Sequence, residues 1–250
     1  MLYYRIDSIM LKSLSDNRSV GLYNAAYRLM EVALLLSQLF GLSLLPVLSS
    51  AQKDPEAFAR LARRSFKALA FLAFPVAVGG TLLAGPLVTL FFGEEYRSAG
   101  PVFARLCLSV IPFYLANVYM NVLTIRGPKR LVLLFASLLA LNVALNFILI
   151  PRSGPVGAAT ATVLSEGVGL LAGFWIIRRY LRTRRSVPLA WPVTASLAAS
   201  ALMGVCIARD PRLYWLIAGP VVYFAALVLL RALGSEDWDS LRSVLRRRTS

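Results

Sequence analysis

Residues 131–151 read LVLLFASLLALNVALNFILIP, and after RSG the chain continues over residues 155–178 as PVGAATATVLSEGVGLLAGFWIIR. The first run carries no charged side chain, and the second carries only Glu166 and its final Arg178. About 20 residues, at a rise of about 1.5 Å each, cross a hydrocarbon core about 30 Å thick. Ala, Leu and Val dominate without the polar–apolar alternation of a barrel strand. The stretch therefore predicts two transmembrane helices.

Similar uncharged runs extend over most of the 250-residue chain, which is 58% hydrophobic. A soluble domain of this length would be less apolar. The runs place candidate spans at about 1–15, 21–50, 67–92, 100–125, 129–151, 155–178, 187–208 and 212–233. We therefore expect an all-α fold, a polytopic membrane helical bundle of about eight transmembrane helices.

The basic residues alternate between the loops that join these spans. Of the 27 Lys and Arg residues, 18 lie after the even-numbered spans. Those after the odd-numbered spans are Lys12, Arg18, Arg97, Arg152, Arg209 and Arg212. This bias follows the positive-inside rule and predicts that both termini are cytoplasmic. A nucleic-acid-binding protein has no reason to alternate in this way, so the net charge of +15 does not indicate nucleic acid as a partner.

The sequence lacks the residue patterns of common catalytic and metal sites. It contains no histidine, which removes the commonest general base and metal ligand. Cys107 and Cys206 lie in apolar runs, where we expect small buried hydrophobes rather than a disulfide or metal site. No glycine-rich loop with a lysine could hold ATP. We therefore expect neither an enzyme nor a bound cofactor.

Two segments combine an apolar face with many basic residues. The segment from Asp54 to Phe66 begins with the Asp-Pro-Glu sequence of a helix start. The tail, residues 234–250, places Trp238, Leu241 and Leu245 on one face and arginines beside them. Such helices lie on a membrane surface, where the arginines meet anionic lipid heads. The alternative for both segments is a solvated cytoplasmic loop.

Charged and amide side chains interrupt the second span on one side only. These residues are Asn24, Arg28, Glu31 and Gln38. Their spacing of four, three and seven residues places them on one side of a helix. Arg5 and Asp7 add two charges to the first span, and ionisable residues at such depth usually face a cavity or a partner. The alternatives for Arg28 and Glu31 are a structural ion pair and a hydrated cavity for a charged or sugar-like ligand.

Further polar pairs recur one turn apart in later spans. They are Asn117 with Asn121, Asn142 with Asn146, and Thr162 with Glu166. Interhelical amide hydrogen bonds of about 0.6 kcal/mol each would explain such pairs, as would a hydrated cavity. Gly169 and Gly173 form a small-xxx-small pattern, which predicts close helix packing.

Several local patterns carry a resemblance to a transporter family. They are Arg5-Ile-Asp7, the VGLYNAAYR of residues 20–28, Leu45-Pro46, the LFFGEEY of residues 90–96, and, most specific, Leu141-Asn142, Leu145-Asn146, Ile150-Pro151, Gly154, Gly157-Ala158-Ala159, Thr162 and Glu166. In their order and spacing the chain resembles the Wzx-like oligosaccharide and polysaccharide flippases of the MATE-like multidrug/oligosaccharidyl-lipid/polysaccharide exporter superfamily. The resemblance extends from residue 1 to about residue 233.

The resemblance implies a fold in which two six-helix lobes face each other. Residues 1–182 resemble the second lobe with its first helix cut short, and residues 183–233 resemble two additional C-terminal transmembrane helices. Residues 234–250 form the basic tail. The first lobe has no counterpart here. We therefore expect a fragment or half of a split gene, with a first-lobe polypeptide as partner.

The resemblance also implies a function and a set of site residues. It implies alternating access that flips an undecaprenyl-pyrophosphate-linked oligosaccharide across the bacterial cytoplasmic (inner) membrane, with membrane lipids as further partners. The substrate-binding residues it suggests are Arg5, Arg28, Asn24, Gln38, Asn117 and Asn121. Asp7, Glu31 and Glu166 would couple movement to H⁺ or Na⁺, or neutralise the arginines.

Two other functions stay open at this point. A small-molecule or drug cation antiporter of the same superfamily would favour acids over arginines in its cavity, and Arg5 and Arg28 disfavour it. A non-transporting truncated remnant would lack the opposing wall that alternating access requires.

Overall fold

The computed structural model describes residues 6–181, 190–230 and 232, and every regular element in these ranges is helical. Arg5 and the basic tail lie outside the described residues. The α-helices are α1 (Ile6–Leu14), α2 (Asn17–Ser50), α3 (Pro55–Leu82), α4 (Ala84–Phe92), α5 (Gly100–Leu108), α6 (Val110–Arg126), α7 (Pro128–Ile177), α8 (Ala190–Arg209) and α9 (Trp215–Leu229). A 3-10 helix, Glu94–Ala99, joins α4 to α5.

The chain reverses direction within α7. Gly154 has φ 52° and ψ −131°, a left-handed backbone conformation that favours glycine. It separates a first arm, residues 128–153, from a second arm, residues 155–177. The amide of Asn142 donates to Ser165 Oγ at 3.3 Å, whereas residues 23 apart in one continuous helix would lie about 35 Å apart. The two arms therefore form an antiparallel hairpin, as the sequence predicted.

The predicted helix start at Asp54 is confirmed, but the helix does not lie on the membrane surface as a separate element. The Asp54 side chain caps α3 by accepting a hydrogen bond from the backbone N–H of Ala57 at 3.1 Å. From there α3 continues without a break past Phe66. Phe58 and Ala62 are buried in the core. The surface prediction for this segment is wrong because its apolar face packs against protein.

Loops predicted to share one side of the membrane meet at one end of the bundle. Arg126 donates to the carbonyl of Gln52, and Arg63 donates to the carbonyl of Leu181. These contacts bring together loops 51–54, 126–128 and 178–181, which we call the basic end. At the other end, Gly154 lies beside Ser19, since a Cβ built on the glycine would be 3.9 Å from the serine hydroxyl.

Aromatic rings and glycines bring α3, α6 and α7 into close contact. The Phe174 ring meets Phe66 edge to face, with centroids 4.8 Å apart, and meets Tyr119 at 6.4 Å. A Cβ on Gly173 would lie 2.6 Å from the Tyr119 ring, and one on Gly169 would lie 2.8 Å from Leu138. The prediction of close packing at the two glycines is confirmed.

Four stretches of the described residues are long and apolar enough to cross a membrane. They are Asn17–Ser50, Pro55–Leu82, Glu94–Arg126 and Pro128–Ile177, of which the last supplies two arms. The shorter apolar helices α8 and α9 form a second core cluster, in which Ser196 and Tyr223 share a hydrogen bond of 2.6 Å. Together with α1, these elements confirm an all-α polytopic bundle of about eight transmembrane helices.

Candidate functional site

An open groove of about 730 Å³ lies along α1 and α2. Its lining residues are Ser8, Ile9, Lys12, Val20, Asn24, Tyr27, Arg28, Glu31, Leu34 and Gln38. All four residues of the polar stripe therefore reach one surface, and each is exposed there. The opposite side of α2 packs into the core through Tyr23, Met30 and Leu44. The helical periodicity of polar and apolar residues in α2 thus places the groove on one side of the helix and the core on the other.

The charges in the groove are not neutralised internally. Lys12 and Arg28 contribute two positive charges and Glu31 one negative charge. Among the described residues, no ion pair joins Arg28 to Glu31, so the structural ion pair considered from the sequence does not form. Arg28 lies 11 residues into α2, about 16 Å along the helix axis from its first residue. The groove therefore presents a free guanidinium on a helix that is long and apolar enough to cross a membrane.

A buried carboxylate lies behind the groove, between α1, α2 and the α7 hairpin. Asp7 is 5% exposed and accepts three side-chain hydrogen bonds. Tyr23 donates at 2.7 Å and Thr162 at 3.0 Å to Oδ2, and Asn146 donates at 2.6 Å to Oδ1. A charge buried at this depth is costly unless its lone pairs are satisfied. The three donors come from three different helical segments, so the carboxylate links them.

The amides behind Asp7 extend this cluster. Asn146 also donates to Asn142 Oδ1 at 3.0 Å, and Ser165 donates to the carbonyl of Thr162 at 3.1 Å. The Oδ1 atom of Asn146 is buried and has no hydrogen-bond partner among the described residues. An unpaired oxygen beside a carboxylate is an acceptor for a proton donor or a ligand for a hard cation. The cluster therefore has the donor set of a small-cation site.

The groove and the buried carboxylate share the same two helices. Asp7 bonds Tyr23 on the buried side of the α1–α2 contact, and their neighbours Ser8 and Asn24 bond each other at 2.8 Å on the groove side. The Asp7 cluster and the groove are therefore joined through adjacent residues of α1 and α2. No group of three or more Asp, Glu, Cys or His side chains suited to a metal occurs in the described part of the chain.

The remaining predicted site residues lie elsewhere. Asn117 is half-buried against α2, where it donates to Ser37 Oγ at 2.6 Å and fills the space beside Gly41. Asn121 is buried and donates to the carbonyl of Asn117 at 2.8 Å. Neither residue lines the groove, and both contacts are those of packed helices. Glu166 is buried on the second arm of α7, and Arg5 lies outside the described residues.

Sequence reasoning missed Ser8, Lys12 and Tyr23. Tyr23 lies on the core face of α2, outside the polar stripe, and the sequence pattern therefore gave it no role. The signal that could have found it is the short turn between α1 and α2, which returns Tyr23 to the level of Asp7. The same turn brings Ser8 beside Asn24.

A family model described as "Polysaccharide biosynthesis protein" matches residues 1–101. The probable flippase AglR of Haloferax volcanii is 26% identical over 211 residues, which are 82% of this chain and 44% of that protein. The structure of the lipid II flippase MurJ in an inward closed conformation superposes with a TM-score of 0.75 at 17% identity, over 92% of this chain and 51% of MurJ. An outward-facing multidrug resistance MATE transporter has a TM-score of 0.63 at 21% identity, over 83% of this chain and 49% of that one.

These matches confirm the resemblance to polysaccharide biosynthesis proteins and flippases, and the two solved structures confirm the corresponding fold. The chain spans about half the length of the relatives it matches. These relatives are named as flippases and as a multidrug transporter, and the apolar helices of this chain agree with a multi-pass membrane protein.

Proposed function

We propose that this chain forms one lobe of a transporter that flips an undecaprenyl-pyrophosphate-linked oligosaccharide across the cytoplasmic membrane for polysaccharide biosynthesis. The observation that carries the proposal is the groove, which holds the free guanidinium of Arg28 on the long apolar helix α2. The names of the matched relatives, which include a probable flippase and a lipid II flippase, support the same substrate class.

The lining of the groove suits a pyrophosphate attached to a sugar. A guanidinium forms paired, charge-assisted hydrogen bonds to phosphate oxygens, and Lys12 adds a second positive charge. Asn24, Gln38 and Ser8 offer donors and acceptors to sugar hydroxyls. Arg5 is proposed as a second phosphate ligand on the basis of the resemblance. The packed positions of Asn117 and Asn121 support a structural role in preference to sugar binding.

The groove is one wall of a site, and the second wall is proposed to come from a first lobe. Each matched relative is about twice as long as the matched region. In alternating access, two lobes rock around a central site. Residues 1–182 would form the second lobe and residues 183–233 the additional helices.

We place the coupling ion, H⁺ or Na⁺, at the Asp7 cluster. The oxygen ligands proposed for the ion are the Asp7 carboxylate, the unpaired Asn146 Oδ1 and the Thr162 hydroxyl. Loss or gain of a positive charge there changes the hydrogen bonds that tie α1 to α2 and to the hairpin. Since Ser8 and Asn24 lie on the same helices, the change would reach the groove. Glu31 remains the proposed counter-charge to Arg28, and Glu166 a further candidate.

The basic end supports a proposed orientation in the membrane. Lys and Arg are enriched in loops on the cytoplasmic side, so we place loops 51–54, 126–128 and 178–181 in the cytoplasm. Both termini are then cytoplasmic, and the tip of the hairpin at Gly154 faces outward.

The experiment that tests the proposal replaces Arg28 in cells that lack their own flippase. The chain is expressed together with any six-span segment encoded upstream of it, and surface polysaccharide is quantified. Arg28→Ala is expected to abolish the polysaccharide while the protein stays in the membrane. The matched control is Arg105→Ala, an exposed arginine of α5 outside the groove. Normal polysaccharide in the Arg28 variant would remove this residue from the mechanism.

The MATE-like fold also permits a drug cation antiporter, for which the outward-facing multidrug transporter is the precedent. The excess of positive charge in the groove disfavours cationic substrates. Drug accumulation in sensitive cells distinguishes the two functions, since only an antiporter lowers it. A chain that neither restores polysaccharide nor lowers drug accumulation, and does not associate with a first lobe, is a remnant.

A further inference from the structure

A second cavity of about 500 Å³ lies at the basic end, on the α7 hairpin and away from the groove. Its lining residues are Arg130, Trp175, Ile176, Arg178 and Arg179. Three guanidinium groups thus surround one small space. None of these residues has a role in the proposed transport site.

The hydroxyl of Tyr180 holds two of these arginines together. Arg130 donates to it at 2.8 Å and Arg179 at 3.2 Å, while the hydroxyl donates to the carbonyl of Arg126 at 3.2 Å. A phenol has one proton and two lone pairs, so these contacts use its whole capacity. Two guanidinium groups bonded to one oxygen repel each other. The arrangement therefore favours an anion that neutralises them.

The protein itself supplies no such anion in the part of the chain that the structure describes. The ion pairs recorded there join Arg97 to Glu94 and Arg212 to Asp210, and neither involves the cavity. The Arg178 guanidinium lies over the Trp175 ring, 5.2 Å from its centroid, and therefore makes a cation–π contact rather than an ion pair. The positive charge of the cavity is thus available to a ligand.

An exposed apolar stripe leads along the second arm of α7 to the cavity. It consists of Leu164, Val168, Leu171 and Trp175, spaced by four, three and four residues. Leu171 is 74% exposed and Trp175 is 65% exposed. Tryptophan is enriched at the membrane–water interface, so Trp175 marks the end of the stripe that lies near the headgroups. The rest of the stripe then lies beside the acyl chains, and the arginines lie at the level of the headgroups. The apolar stripe and the basic cavity are therefore arranged like the acyl chain and the headgroup of one lipid molecule.

We propose that this cavity binds the headgroup phosphate of an anionic phospholipid, with an acyl chain along the stripe. Guanidinium groups form paired hydrogen bonds to phosphate oxygens, and the cytoplasmic leaflet carries anionic lipid. The ligand is a lipid rather than free phosphate because only a lipid uses the stripe. Bound there, the lipid clamps Arg130 of the first arm of α7 to Arg179, which follows the end of the second arm.

The test measures lipid binding to the purified full chain by native mass spectrometry, without any transport assay. Phosphatidylglycerol, phosphatidylcholine and inorganic phosphate are titrated separately. We expect one tightly bound phosphatidylglycerol, weaker binding of phosphatidylcholine, and no displacement by millimolar phosphate. The double variant Arg130→Gln/Arg179→Gln should weaken phosphatidylglycerol binding at least about tenfold, as the loss of charge-assisted hydrogen bonds implies.

The matched control is Arg97→Gln/Arg105→Gln, which removes the same number of positive charges away from the cavity. It should leave the affinity for phosphatidylglycerol unchanged. Tyr180→Phe keeps every charge and removes only the hydroxyl oxygen that Arg130 and Arg179 share. Because that oxygen positions the two arginines, we expect the affinity for phosphatidylglycerol to be about threefold weaker. This conservative variant tests the site even where the double variant fails to fold. Equal losses in the double variant and its control, equal binding of the two lipids, or displacement by inorganic phosphate would each overturn the proposal. Because transport is not measured, failure here leaves the flippase proposal intact.

Discussion

The hydrogen bond from Tyr23 to Asp7 yields a quantitative prediction about the charge state of the buried carboxylate. Tyr23→Phe removes one hydroxyl from a fully buried ring and leaves Asp7 Oδ2 with Thr162 as its one remaining donor among the described contacts. Nothing else in the packing changes shape. The free energy lost therefore measures that one contact.

The magnitude depends on whether Asp7 is ionised. A hydrogen bond to a charged group contributes about 1.5–3 kcal/mol, whereas a neutral hydrogen bond between membrane helices averages about 0.6 kcal/mol. The 2.7 Å distance and the three converging donors favour a carboxylate. We therefore expect Tyr23→Phe to lower the free energy of unfolding by about 1.5–3 kcal/mol.

The assay is reversible unfolding of the purified chain in mild detergent by a denaturing detergent, followed by circular dichroism. The matched control is Tyr214→Phe, because Tyr214 also donates to an aspartate, Asp210, at 3.1 Å but in an exposed position. That control should unfold like the wild type. A Tyr23→Phe protein as stable as the control would refute the account of Asp7 as an ionised, three-donor link.

Two further predictions concern packing and capping. Gly173→Ala places a methyl group against the Tyr119 ring and should destabilise the bundle by about 1–3 kcal/mol. Gly167→Ala replaces a glycine inside the same helix with no atom within 4 Å of the added carbon, so it should stabilise the bundle by up to about 1 kcal/mol in the same unfolding assay. Equal effects of the two changes would contradict the packing of the hairpin on α6. The backbone N–H of Ser19 donates to the Asp16 carboxylate at the start of α2 and lowers the pKa of that carboxylate. The stabilisation by Asp16 is therefore present above the unfolded-state pKa and is lost as pH falls through the folded-state pKa. Acid titration should shrink the stability difference between wild type and Asp16→Ala, and a difference independent of pH would contradict the cap.

The sequence predicted the elements whose pattern is local. The four-residue stripe on α2 reached one groove because helical periodicity alone decides which side chains share a face. Gly169 and Gly173 met neighbouring helices because small residues are what such contacts require. The reversal at Gly154 followed from two apolar runs separated by three residues.

Other features depend on packing between distant segments, which a local sequence pattern does not specify. Asn117 carries a polar group that suits a sugar, yet the space beside Gly41 draws it into the contact between α6 and α2. The segment through Phe66 has the pattern of a surface helix, and its apolar face is buried because α7 supplies Phe174 as a partner. Tyr23 bonds Asp7 through a turn whose geometry the apolar pattern does not encode.

The most direct test of the account measures binding of an undecaprenyl-pyrophosphate-linked oligosaccharide to the purified chain, because Arg28 is proposed to hold its pyrophosphate. Native mass spectrometry compares the wild type with Arg28→Ala and with the control Arg105→Ala. We expect Arg28→Ala to weaken binding at least about tenfold, as loss of a charge-assisted contact implies, and the control to bind like the wild type. Equal binding by all three proteins would contradict the central claim that the groove along α1 and α2 recognises the pyrophosphate.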